Sequence, residues 1–170
     1  MNIQNRIAVE ADLPAITEIY NQAIESRIAT ADLTAVSIEN RRIWLSTHDA
    51  DYPVFVAEDE GFIKGWCSLS PYRSGRMALK QTAEISYYIH REFRGVGIGS
   101  NLIADVINHC PALGIKVLFA ILLDTNSLSI GILEKFKFEK WGHLPGVADF
   151  EGDLCGHFYY GRRVDSHDMV

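Results

Sequence analysis

Residues 82–99 read TAEISYYIHREFRGVGIG, an apolar run that meets a glycine-rich turn. Residues 85–89 have the β-branched and aromatic content of a strand, and residues 100–110 repeat apolar side chains at helical spacing, as Leu102, Ile103, Val106 and Ile107. The turn Arg94-Gly95-Val96-Gly97-Ile98-Gly99, with Ser100 behind it, therefore stands between a strand and a helix N-terminus. A helix start carries unpaired N–H groups and partial positive charge, and glycines let an anion approach the backbone closely. The turn is a candidate pyrophosphate cradle; the other reading is a tight turn that serves close helix packing.

Working outward, the bulk properties narrow the partners. A chain of 170 residues fits one domain and buries about 70% of its unfolded surface. Its 22 acidic against 16 basic residues give a net charge of −6, which argues against a broad nucleic-acid or anionic-membrane footprint and for a small-molecule partner. Cys67, Cys110 and Cys155 are widely spaced and form no C-x-x-C pair, so they read as reduced thiols. The six histidines lack ligand spacing, so no metal is expected, and His90 reads as a surface residue. No window approaches the roughly 20 apolar residues of a membrane span and no signal segment is evident, so a cytoplasmic location is the expectation.

In chain order, residues 3–9 read as a strand, followed by a helix that Asp12 can cap with Pro14 in its first turn. Residues 26–36 have no clean period and read either as a substrate lid or as a plain connection. A second helix starts near Ser37 and carries Ile38, Ile43, Trp44 and Leu45 inward. Residues 53–58 and 62–69 form a hairpin around Asp59-Glu60-Gly61, and a basic loop with Arg73, Arg76 and Lys80 leads into the 83–89 strand. After the central helix come a strand over 116–123, a helix from Asn126 or Ser127 to about Lys137 with Ile130, Leu133 and Phe136 buried, and a closing strand pair over 138–144 and 154–162. The sum is an α/β sandwich on a mixed sheet.

The glycine spacing R-G-x-G-x-G is neither G-x-G-x-x-G nor a P-loop. It resembles the acyl-coenzyme A signature of the GNAT superfamily of N-acetyltransferases. With IYNQAIES early and DTNSLSIGILEKFKF late, the similarity runs over nearly the whole chain and is greatest to the phosphinothricin and amino-acid N-acetyltransferase branch. The resemblance implies a mostly antiparallel mixed sheet flanked by helices, with a splayed strand pair that forms the acetyl-CoA cleft. It implies that Tyr88 and Ile89 offer backbone hydrogen bonds to pantetheine, and that Arg94, Gly95, Val96, Gly97, Ile98, Gly99 and Ser100 cradle the pyrophosphate. Asn126 and Ser129 match positions that hold the pantetheine region, although both residue types also cap helices.

Glu84 stands at the position of the family's general base. The chemistry asks for one, because an α-amino group with pKa of roughly 8 is mostly protonated at neutral pH and must lose a proton before it attacks. The other reading of Glu84 is a strand glutamate in a surface salt bridge. Arg73 and Arg76 lie in the loop that the branch places near the acceptor, and either can hold a carboxylate as a planar fork or remain a solvated loop side chain. Homodimerisation is a further implication.

Three departures stand out. Leu133 replaces the Tyr or His of the late helix, which removes the expected acid; Lys137 replaces a glycine; and residues 146–160, GVADFEGDLCGHFYY, differ from the segment that forms the herbicide site in the branch. The expected activity is direct acetyl transfer from acetyl-CoA to the amine of a small amino-acid-like acceptor. A protein or peptide N-acetyltransferase and a non-catalytic acyl-CoA sensor are the alternatives.

Overall fold

The computed structural model describes residues 2–165. Seven strands form one sheet in the order β1-β2-β3-β4-β5-β7-β6, and every neighbouring pair is antiparallel except β4 with β5. The strands are β1 (Gln4–Ile7), β2 (Val54–Asp59), β3 (Phe62–Pro71), β4 (Thr82–Ile89), β5 (Val117–Leu123), β6 (Glu139–Phe150) and β7 (Asp153–Arg163). Four helices accompany them: α1 (Leu13–Ser26), α2 (Ile38–Ser46), α3 (Ile98–His109) and α4 (Ser127–Lys135).

Strand alternation sorts the core into two layers. Phe55, Ala57, Cys67, Leu69, Ala83, Ile85, Leu118 and Ala120 face α3, whose Leu102, Ile103 and Val106 are fully buried, and Leu133 of α4 closes the same layer. On the opposite face Val54, Val56 and Trp66 meet Ile16, Ile19, Tyr20 and Ile24 of α1. Trp66 anchors this layer: it is 1% exposed, its indole N–H donates to the Ile16 carbonyl at 3.2 Å, and its ring lies 5.2 Å from Trp44 and 4.7 Å from Tyr88.

Local chemistry explains the element ends. Glu60 and Gly61, at φ 52° and 82°, form the two-residue turn that matches the twist of the β2–β3 hairpin. Ser37 accepts the N–H of Asn40 and so caps α2. Asp12 does not cap α1 through its side chain; its buried carboxylate takes the Arg6 guanidinium at 2.7 and 2.8 Å and the Val9 N–H at 2.9 Å. Within α2, Trp44 and Leu45 pack inward, whereas Ile38 and Ile43 are exposed, because nine residues against one layer cover only a narrow stripe. Leu133 of α4 is fully buried, while Ile130 and the C-terminal Phe136 are half-buried. β6 runs past Leu144 to Phe150, with an irregularity between Leu144 and Ala148 that absorbs Pro145, which has no N–H to give the ladder. Cys67, Cys110 and Cys155 are free thiols, and burial pushes Cys110 up to about 12 and Cys67 higher, so both stay protonated and non-nucleophilic.

Trp66→Ala removes the anchor of the α1 layer. It is expected to cost about 3–5 kcal/mol, read as a fall in thermal midpoint of roughly 10 °C.

Candidate active site

The site begins where the sheet stops being continuous. β3 pairs with β4 along its whole length, from Pro71 opposite Ala83 to Gly65 opposite Ile89, and β7 pairs with all of β5. Between β4 and β5 only Thr82, Ala83 and Glu84 find partners, in Val117, Leu118 and Phe119. Past Glu84 the strands part. A cleft of about 530 Å³ opens above the glycine turn, and a narrower cavity lies between residues 85–88 and 120–122; Tyr87, Tyr88, Asn126 and Ser129 line both.

The phase of β4 decides which amides face the opening. The His90 N–H donates to the Lys64 carbonyl at 2.9 Å, and the Thr82 carbonyl accepts from the Tyr72 N–H at 3.2 Å, so even-numbered residues direct their backbone toward β3. Tyr87 and Ile89 therefore present N–H and C=O groups to the gap. Of the two residues expected to offer backbone groups, Ile89 turns them to the gap, whereas the Tyr88 backbone faces β3, because amides alternate along a strand. The Ile89 carbonyl accepts from Arg94 Nε at 3.2 Å.

Below the gap the turn enters α3. Gly95 and Gly97 have φ of +77° and +94°, a region that favours glycine, and Gly97 is the N-cap with no side chain covering the first-turn N–H groups. Arg94, Gly95, Gly97, Ile98, Gly99 and Ser100 line the cleft; Val96 does not and is 55% exposed. The facing wall is α4, whose Asn126 is buried with its side-chain oxygen accepting the Ser129 N–H at 3.2 Å. Among the lining residues Arg94 and Lys135 are cationic and none is a carboxylate, a local reversal of the chain's net charge of −6. This fits a polyanion. Residues 26–36 supply Ser26, Ile28 and Ala29 to the rim, and they are tied down: Tyr20 donates to Asp32 at 2.7 Å, and Asn21 exchanges hydrogen bonds with the Val36 backbone at 3.0 and 2.8 Å. They make a wall rather than a loose lid.

Glu84 occupies the last paired position, where the strands part, and lines neither the cleft nor the narrower cavity. It is half-buried and its carboxylate has no hydrogen-bond or ion-pair partner among the described residues, so burial raises its pKa above the ordinary 4.5. The salt-bridge reading is thereby set aside. Its cross-strand neighbour Phe119 stacks on Tyr72 at 4.8 Å and meets the edges of Trp141 at 5.1 Å and Tyr159 at 6.5 Å. This aromatic wall has no signal in local sequence, since its four members come from four separate segments.

Arg73 and Arg76 are exposed in the β3–β4 loop beside Tyr72, and neither lines the cleft. His90 accepts from the Glu92 N–H at 3.3 Å and lies 3.5 Å from Glu18, a local structural role. No group of three or more His, Cys, Asp or Glu side chains is gathered for a metal among the described residues.

Residues 13–138 match the acetyltransferase (GNAT) family. The chain belongs to that family. It is 41% identical over 160 residues to a Bacillus subtilis protein assigned as a phosphinothricin acetyltransferase, covering 94% of this chain and 98% of the relative. It is 34% identical over 150 residues to the L-methionine sulfoximine/L-methionine sulfone acetyltransferase of Pseudomonas aeruginosa, covering 87% of each. A solved phosphinothricin acetyltransferase from Sinorhizobium meliloti in complex with acetyl-CoA superposes with a TM-score of 0.89 at 32% identity, covering 96% of this chain and 89% of that one.

The unpartnered carboxylate has a thermodynamic signature. A group whose pKa is raised by folding contributes fully to stability below its unfolded value and loses that contribution as pH rises through the folded one. Glu84→Gln is therefore expected to raise the thermal midpoint at pH 7 and to leave it unchanged near pH 4, in parallel melting curves.

Proposed function

We propose that this chain acts as one domain that transfers the acetyl group of acetyl-CoA to the primary amine of a small amino-acid-like acceptor, of the phosphinothricin or methionine sulfoximine type. The observation that carries the reading is the cleft between β4 and β5, with a cationic, glycine-lined end at α3, together with a lone carboxylate, Glu84, at the last residue pair before the strands part. The names of the relatives support the acceptor class.

Acetyl-CoA supplies an acyl group activated as a thioester. In this reading the N–H groups of residues 95–100, with Arg94 and Lys135, hold the pyrophosphate. The exposed edge of β4 at Tyr87 and Ile89 binds the amide-bearing pantetheine as a short added strand, and Asn126 and Ser129 bound it from α4. Glu84 attracts the acceptor's ammonium and takes its proton, and its raised pKa brings the carboxylate closer to that of an amine. The ring wall of Phe119, Tyr72, Trp141 and Tyr159 receives the acceptor's side chain, and Arg73 or Arg76 its carboxylate. No helix among the described residues is long and apolar enough to cross a membrane, and exposed Trp141, Leu144, Val147 and Leu154 lie on the β6–β7 edge. The exposed apolar residues support a homodimer.

Thiol release from acetyl-CoA, followed against amino acids, methionine sulfoximine, phosphinothricin, polyamines and peptides, tests the reading. Acceptor-dependent release is expected with the amino-acid-like group. Release only with peptides would assign a protein N-acetyltransferase, and tight coenzyme A binding without release to any acceptor would assign a sensor. For the native protein kcat/KM is expected to rise with pH through the raised Glu84 value; Glu84→Gln is expected to lose that limb and about 10²-fold in kcat, with coenzyme A affinity preserved. Gly97→Ala is expected to weaken coenzyme A binding about tenfold in calorimetry, as the turn relaxes from a φ that costs a side chain about 1–2 kcal/mol.

A further inference from the structure

One polar group in the cleft has no use in the roles above beyond its backbone. The side chain of Tyr87 leaves β4 on the face opposite Glu84, three residues along, and packs in the α3 layer of the core. Its hydroxyl reaches the first turn of α4 and donates to the Ser129 carbonyl at 3.4 Å. That bond is long, and in a helix the carbonyl of residue 129 already serves the N–H of residue 133, so the hydroxyl can turn to another acceptor without stranding a buried group.

Other donors in the narrow cavity are few. Leu133, the α4 side chain that faces it, is 1% exposed and wholly apolar. The Asn126 side-chain oxygen accepts from the Ser129 N–H, which leaves its amide NH2 group as a donor at the cavity edge. The Tyr88 hydroxyl lies on the other face, among Tyr20, Thr30, Asp32 and Arg41. Ser86 shares the Glu84 face of β4, so the donors on the Leu133 face are Tyr87, the Asn126 amide and the shorter Ser129 hydroxyl, and of these Tyr87 alone comes from β4.

We propose that Tyr87 is the residue that receives the departing sulfur, from β4, in place of a donor on α4. The inference rests on the acyl-CoA reading of the cleft. The ammonium first loses one proton through Glu84 to water; as the neutral nitrogen forms its bond to the acyl carbon and the carbon–sulfur bond breaks, its second proton passes to the freed Glu84 carboxylate and the bonding pair stays on sulfur. The thiolate accepts a hydrogen bond from the Tyr87 hydroxyl and then takes a proton from water. Burial pushes Tyr87 up to about 12, so the hydroxyl keeps its proton and acts as a donor, while the thiol of the product titrates near 8.5. Donation to a developing anion in a site shielded from water is a charge-assisted hydrogen bond. Glu84 and Tyr87 then serve the two ends of one transfer from opposite faces of a single strand.

The test uses coenzyme A alone, which separates this inference from the identity of the acceptor. The full-length protein is titrated with pH in the presence of coenzyme A, and the thiolate is read by difference absorbance. The bound thiol is expected to titrate below its free value on the native protein and about one pH unit higher on Tyr87→Phe, which keeps the ring and its packing. In turnover, Tyr87→Phe is expected to lose about 10- to 100-fold in kcat with an unchanged KM for acetyl-CoA. The same thiol pKa on both proteins would overturn the proposal, as would a shift in Ser129→Ala with none in Tyr87→Phe. Loss of coenzyme A binding in Tyr87→Phe alone would make the residue a packing element. Absence of coenzyme A binding by the native protein would overturn the acyl-CoA reading itself, and this inference with it.

Discussion

Two adjacent strands that share three residue pairs and then separate are an expensive arrangement, and the structure is organised to maintain it. Each strand is held by its outer neighbour: β4 by β3 over its full length, and β5 by β7 over its full length. The sheet is thus two well-paired leaves joined at Thr82–Glu84 and Val117–Phe119. Backbone groups at Tyr87 and Ile89 are left without strand partners, and an unpaired buried amide costs about 1–3 kcal/mol unless water or a ligand meets it. The cleft is a place where the fold withholds hydrogen bonds from itself, and a polyamide arm such as pantetheine can supply them.

The charge distribution follows the same division. The chain as a whole is acidic, yet the cleft wall carries Arg94 and Lys135, two positive-φ glycines and the start of a helix. The first-turn N–H groups there have no side-chain cap, so the positive character of this wall comes from backbone as well as from side chains. At the last β4–β5 pair the logic inverts: Glu84 has no cation beside it among the described residues, and its lone, half-buried state is what raises its pKa. The cationic end and the lone carboxylate thus sit at separate positions along β4 and the turn that follows it.

Local chemistry made parts of this legible in the sequence. The glycine turn, the Ser37 cap and the Glu60-Gly61 hairpin each depend on contacts within a few residues, and their residue types state those contacts. Ile38 and Ile43 misled because apolar content does not say which stripe of a short helix the sheet covers. Asp12 misled because a carboxylate able to cap a helix can also pair with an arginine, and Arg6 is a tertiary neighbour supplied by β1. The side to which the Tyr88 backbone turns is not legible in the sequence, because the phase of a strand's amides is set by its partner's register. The wall of Tyr72, Phe119, Trp141 and Tyr159 was invisible for a stronger reason: it exists only once the β3–β4 loop, β5, β6 and β7 converge.

The insertion of β7 between β5 and β6 has a consequence for how the molecule forms. The first leaf runs β1-β2-β3-β4 in chain order, so each strand can pair as soon as its successor is made. The second leaf cannot. β5 has no outer neighbour until α4 and β6 have been synthesised and β7 has threaded into place, and its sequence, VLFAILL, is wholly apolar. During synthesis this strand is an open, sticky edge beside a finished first leaf, the kind of surface that draws chaperones and aggregates when folding stalls. The rate at which β7 docks, rather than the collapse of the first core, is then the step that decides yield.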